Sequence, residues 1–149
     1  MGSVQFCTQE MLERFQGVRL LEKYIRDKKQ EIEKHNISQG VSSDDKIDGR
    51  RLTNIGTFRA YLNAYLEQHP QIHQDMTLLV RQLAPSEKGI PIEIYVFSKI
   101  QDWTLFENIQ GDIFDHILAI LPFFNLAVFQ NPAGRDFSKI LSTSQITAS

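Results

Sequence analysis

Apolar side chains recur at Met11, Phe15, Val18, Leu21 and Ile25, with Leu12, Leu20 and Tyr24 widening the stripe. Spacings of three and four put these residues on one helical face, so an amphipathic helix is expected from residue 8 onward. Thr8 offers an N-cap oxygen, and Glu10 falls in the first turn, where the positive end of the helix dipole favours a carboxylate. From residue 26 to 35 the apolar content drops to Ile32 among Arg26, Asp27, Lys28, Lys29, Glu31, Glu33 and Lys34. That half of the helix is expected to project into solvent. Residues 37–50, with Ser42, Ser43, Asp44 and Asp45 between two glycines, read as a polar linker.

The pattern then changes period. Val4-Gln5-Phe6-Cys7 is a short β-like stub, and residues 51–55 predict a strand, with Asn54 or Thr57 capping the helix that follows. Phe58, Tyr61, Leu62, Tyr65 and Leu66 keep the helical spacing over residues 57–69, until Pro70 stops the helix. Met76, Leu78 and Val80 alternate along residues 75–84, and Ile92, Ile94 and Val96 along residues 90–98. The turn residues Pro85-Ser86-Glu87-Lys88-Gly89 between them predict an antiparallel hairpin. Asp102 caps a second helix over residues 102–121, carrying Trp103, Phe106, Ile109, Ile113, Ile117 and Ile120. Asn125 suits a left-handed C-terminal cap, and residues 126–129 predict a last strand.

The order β-α-β-β-α-β is the ferredoxin-like plan, an α+β sandwich preceded here by an N-terminal amphipathic helical insertion. Its helices are expected to cover one sheet face through Phe58, Leu62, Phe106, Ile113 and Ile117. The tail, residues 138–149, is rich in Ser and Thr.

Composition narrows the function. At 149 residues the chain is long enough for one self-sufficient core, so no metal or disulfide staple is required. The formal charge of −2 lacks the basic excess of a nucleic-acid module. Cys7 is the single cysteine, which excludes an internal disulfide and fits a reducing compartment. The longest apolar run, residues 117–124, falls well short of the ~20 residues that span a bilayer as a helix. Met1-Gly2-Ser3 lacks the basic and apolar pattern of a leader and reads as a cloning remnant.

Candidate chemistry is sparse. His69 and His73 are four apart, but Pro70 interrupts the helical face that would align two imidazoles on a metal. His116, between Asp115 and Ile117, is expected at the surface or core edge, with no partner identifiable. Residues 44–49 resemble a calcium loop only faintly, because Lys46 and Ile55 occupy ligand positions. Neither a glycine-rich phosphate loop nor a nucleophile with its base is present. Tyr95 and Phe97 share a strand face, as in RNA-binding sheets, yet the basic-glycine-aromatic strand pattern is missing. They are better suited to packing against protein, and the Trp103–Phe106–Ile109 stripe to a core. No catalytic residue, cofactor or metal is expected.

Several blocks carry a resemblance. They are Arg50-Arg51-Leu52-Thr53-Asn54-Ile55-Gly56-Thr57-Phe58-Arg59-Ala60-Tyr61-Leu62, His69-Pro70-Gln71-Ile72-His73-Gln74-Asp75-Met76-Thr77 and Leu79-Val80-Arg81-Gln82-Leu83. Pro91-Ile92-Glu93-Ile94-Tyr95-Val96-Phe97 and Ile109-Gln110-Gly111-Asp112-Ile113-Phe114-Asp115-His116 complete them. Together they resemble the carboxy-terminal cytosolic domain of miniconductance, MscS-like mechanosensitive channels. Ser3-Val4-Gln5-Phe6-Cys7-Thr8 and Glu13-Arg14-Phe15 are similar to that branch's helical insertion.

The resemblance implies a channel on the bacterial inner membrane, opened by tension and protective in hypo-osmotic shock. Its subunits form a homo-oligomeric, typically heptameric, ring whose cytosolic parts enclose a vestibule passed by ions and small solutes. On this reading residues 4–7 end a preceding β domain, residues 8–36 are the insertion, residues 51–137 form the vestibule domain, and Tyr95 and Phe97 are interface candidates. The chain here carries no membrane helix or pore helix, so it is expected to be soluble and not to conduct by itself. Residues 129–132 lie where the family leads into a terminal β barrel. The competing reading is a stand-alone ferredoxin-like regulatory or protein-interaction module, with an enzyme third.

Overall fold

Residues 4–41 and 48–131 are described by the computed structural model. The first helix, α1 (Gln9–Gln16), is capped by Thr8, whose hydroxyl accepts from the Met11 N–H at 3.2 Å. Met11 and Phe15 turn inward from it. The single helix expected over residues 8–36 is corrected to two, because the chain leaves α-geometry after Gly17 and resumes as α2 (Glu22–Ser38). Tight turns carry the break, with Val18 N–H bonding Phe15 O and Leu21 N–H bonding Val18 O. A glycine is a poor helix-interior residue, and the turn brings Leu21 and Ile25 into the same core as Phe15.

The outer half of α2 is charged and exposed, but it is not a free projection. Asn36 clasps the returning chain at both polar atoms: its Nδ2 donates to Arg50 O at 3.1 Å and its Oδ1 accepts from Arg50 N at 2.9 Å. Arg50 also pairs with Glu31 at 3.0 Å. Gly49 lies buried under this clasp, where a Cβ would meet Asn36 Nδ2 and Val41 Cγ1 at 3.1 Å. Ile32, half-buried, packs against the core.

A second correction concerns residues 51–55. They form no strand beyond one antiparallel bridge between Phe6 and Thr53, and α3 (Asn54–Glu67) begins inside the expected strand. Thr53 is the cap, accepting from Gly56 N–H at 3.1 Å. Asn54, fully buried, accepts from Gln5 N–H at 3.0 Å and donates to Phe124 O at 3.2 Å. Those bonds fix the helix start earlier than local pattern indicates. Phe58, Leu62 and Leu66 are the buried face of α3.

The sheet consists of β1 (Leu79–Gln82) and β2 (Ile92–Tyr95), antiparallel with Leu79 opposite Tyr95 and Gln82 opposite Ile92. Both are shorter than the expected 75–84 and 90–98. An isolated bridge, Ile72 to Ser98, extends the pairing, but residues 74–78 loop out between. Gln74 explains the interruption: its Nε2 donates to Leu66 O and Ile72 O, drawing the segment towards the end of α3. Met76 is therefore exposed, while Leu78 and Val80 face the core.

Helix α4 (Trp103–Ile120) is capped by Asp102, which accepts from Leu105 N–H at 2.9 Å. A 3₁₀ turn, Leu121–Phe124, follows and ends at Asn125 with φ 54°, the left-handed cap. Phe124 stacks on Phe15 at 5.1 Å and meets Phe58 edge-on at 5.2 Å, joining the N-terminal helices to α3. The strand expected at 126–129 is corrected as well. Leu126 N–H bonds back to Leu121 O, which holds the chain beside the 3₁₀ turn, and no ladder forms. The described residues thus make an α+β fold of four helices and one two-stranded antiparallel sheet. The Ser- and Thr-rich tail and the position of a terminal barrel strand lie outside the described residues, as does most of the calcium-like loop.

Candidate functional site

Strand alternation gives the hairpin two unlike faces. Val80 and its partner Ile94 face inward with Leu78, Ile92 and Val96, all packed on the core. The outer face carries Leu79 and its partner Tyr95, 39% and 50% exposed. Phe97, half-buried, meets the Tyr95 ring edge-on at 5.3 Å. Arg81 and Glu93 lie opposite each other on this face and form an ion pair. The two interface candidates therefore sit together on an open sheet surface.

Helix α4 has a buried line, Ile109, Ile113 and Ile117, and a second apolar line that is exposed. Phe114 and Leu118 each follow a buried isoleucine by one residue, hence by about 100° around the helix. Trp103, about three turns before Phe114, lies on the same flank. Their exposures are 73% for Trp103, 52% for Phe114 and 49% for Leu118. Glu107, Asp112 and Asp115 are the charged residues of α4, and residues 102–131 contain no Lys or Arg.

The expected core residues divide. Phe58, Leu62, Ile113 and Ile117 are buried. Phe106 is corrected to half-buried, with its ring 6.2 Å from the exposed Trp103, because no element among the described residues covers the first turn of α4. Trp103 is likewise removed from the core. Sequence reasoning missed the Trp103–Phe114–Leu118 flank, although Phe114 and Leu118 are four apart and off the isoleucine line.

His116 has a partner after all. Its Nε2 shares a hydrogen bond of 2.9 Å with Tyr61 Oη, and its ring stacks on Tyr65 at 4.4 Å. Burial pushes the Tyr61 and Tyr65 hydroxyls up from their ordinary pKa, and Asp112 adds to the rise at Tyr65. These hydroxyls stay protonated at neutral pH, and the ring contacts tie α3 to α4.

His69 packs edge-on against Tyr65 at 5.9 Å, and its Nδ1 accepts from Gln71 N–H at 3.3 Å. Burial lowers its pKa, with Asp112 opposing. His73 lies beyond α3, where its N–H donates to Phe97 O. Cys7 is buried with Sγ 3.9 Å from Thr57 Oγ1, and burial pushes its thiol up. Among the described residues, no three His, Cys, Asp or Glu side chains are placed to hold a metal ion, and no helix is long and apolar enough to cross a membrane. In comparison with known proteins, no family model matches the chain, and no solved structure matches it.

Proposed function

We propose that this chain is an assembly and vestibule-wall domain of a tension-gated mechanosensitive channel of the miniconductance, MscS-like type. The observation that carries the reading is the pair of apolar faces, on α4 and on the hairpin, left at the surface of a single copy. Large exposed apolar patches mark interaction surfaces, and a ring subunit needs such surfaces on its flanks. The residue blocks over 50–62, 69–77, 79–83, 91–97 and 109–116 support the choice of channel. The ferredoxin-like plan belongs to the same reading, supported by the helix–hairpin–helix order α3, β1, β2, α4.

In this role the domain performs no bond chemistry and uses no cofactor or metal. Copies arranged around an axis wall a chamber on the cytoplasmic side of a bacterial inner membrane, through which ions and small solutes pass during hypo-osmotic shock. The test is electrical. Patches containing the intact parent protein are expected to open under suction. Replacing residues 26–36 by a short flexible linker is expected to leave openings in place with altered threshold or adaptation. A parent protein with no tension-activated current and no membrane spans overturns the channel reading, and a ferredoxin-like regulatory or protein-interaction module takes its place.

A further inference from the structure

We propose that the hairpin has two alternative pairings: residues 75–78 displace residues 71–73 as the partner of residues 96–99, and Gln74 is the latch that holds the described pairing. Continued past Leu79 and Tyr95, the register of β1 and β2 sets Leu78 opposite Val96, Thr77 opposite Phe97, Met76 opposite Ser98 and Asp75 opposite Lys99. The described structure gives those places to residues 71–73. His73 N–H donates to Phe97 O at 2.8 Å, Lys99 N–H donates to Gln71 O at 2.9 Å, and Ile72 bridges Ser98. The two pairings exclude each other, because both use the backbone groups of Phe97 and Lys99.

The displaced register is well matched. Among the described residues, 75–78 make no backbone hydrogen bond, so zipping them onto the second strand breaks none of their own. Met76 is in phase with Leu78 and Val80, which pack on the core, yet it is 45% exposed. In the alternative pairing it takes the place of Ile72 opposite Ser98, an exchange of apolar side chains of similar volume. Thr77 meets Phe97, a β-branched residue against an aromatic, and Asp75 meets Lys99, opposite charges directly across; both are favourable cross-strand pairs. Lys99 Nζ, bonded to Pro70 O at 3.0 Å, exchanges that acceptor for the Asp75 carboxylate.

Two features hold the described state. Ile72 is buried, and Gln74 Nε2 donates to Ile72 O at 3.0 Å and to Leu66 O at 3.2 Å. The second bond reaches the last turn of α3, so the hairpin lengthens only as that turn is released. A contact made by residues 69–74 in one state alone therefore biases the whole register.

Native-state amide exchange on the full chain and on Gln74→Ala tests the latch. Leu83 N–H donating to Pro91 O sets the phase of the ladder, which puts the Asp75 and Thr77 N–H groups on Lys99 and Phe97 carbonyls in the alternative pairing. Gln74→Ala is expected to slow exchange at Asp75 and Thr77 by about tenfold and to quicken it at His73. Faster exchange at all three, as a mere loop tether gives, or no change at Asp75 and Thr77 overturns the inference. A covalent trap gives a second reading, in a Cys7→Ala background. Met76→Cys with Ser98→Cys places two thiols at a non-hydrogen-bonded pair, about 4.5 Å apart at Cα and within disulfide range. Mild oxidation is expected to close this pair faster than Thr77→Cys with Ser98→Cys, and faster again when Gln74→Ala is added. Equal rates for the two pairs overturn it. Both pairings are internal to one chain, so either result leaves the channel reading as it stands.

Discussion

Asn54 is the residue on which the most distant parts of the chain converge. Its amide, fully buried, holds Gln5 on one side and the Phe124 carbonyl on the other. Asn54→Ala is expected to cost about 1–3 kcal/mol, read as a lowered urea midpoint, because it leaves those groups unpaired in the interior. Ile113→Ala is expected to cost about 2–5 kcal/mol, and Phe106→Ala distinctly less, since only the first opens a cavity in the core. A change within error at Ile113 removes it from that core.

His69 gives a pH dependence with a definite sign. Burial holds its folded pKa below 6.5, so the unfolded chain takes the proton first as the pH falls. Its contribution to stability is complete above that ordinary value and is lost on acidification through the lowered folded pKa. His69→Gln is expected to flatten the stability profile below about pH 6.5, and an unchanged slope in paired urea titrations excludes the effect. None of this is visible in the residue type. His116 makes the same point, since its partners on α3 are identified by folding and not by its neighbours Asp115 and Ile117.

Helix ends were the most legible elements. Thr8, Asp102 and Asn125 cap through short-range bonds that depend only on residue type and position, and the structure has each in that place. The local pattern puts Thr53 in a strand, because its role as cap depends on Asn54 being held from outside the helix. Thr53→Ala is expected to lower stability by about 0.5–2 kcal/mol in thermal or urea unfolding. The break at residues 17–21 stayed hidden for a related reason: the apolar spacing continues across it, so periodicity alone describes one helix. On α4 two apolar lines run side by side, and the pattern shows both without saying which one the core takes.

At the scale of the molecule, the hairpin and its antiparallel sense follow from alternation and turn residues, and the α+β class follows with them. The wider sheet does not, because membership depends on which strand edges meet. Residues 51–55 are diverted by Asn54, and residues 126–129 by the bond from Leu126 to Leu121. The N-terminal helices supply Met11, Phe15, Leu21 and Ile25 to the same core as Phe58 and Phe124. These helices are therefore part of the core, although the charge over residues 26–35 predicts a projection into solvent.

The Asn36–Arg50 clasp and the Phe6–Thr53 bridge stand on either side of residues 42–47, each joining chain before that stretch to chain after it. Covalent continuity there is expected to be dispensable: two polypeptides, one ending near Val41 and one starting near Asp48, contain all the groups that make these bonds. Co-expressed, they are expected to migrate as two bands on a denaturing gel and to elute as one complex under native conditions. Arg50→Pro, which removes the N–H that Asn36 accepts, is expected to weaken their association. The chain would then serve as a split reporter whose reconstitution reads the proximity of whatever is fused to its new ends.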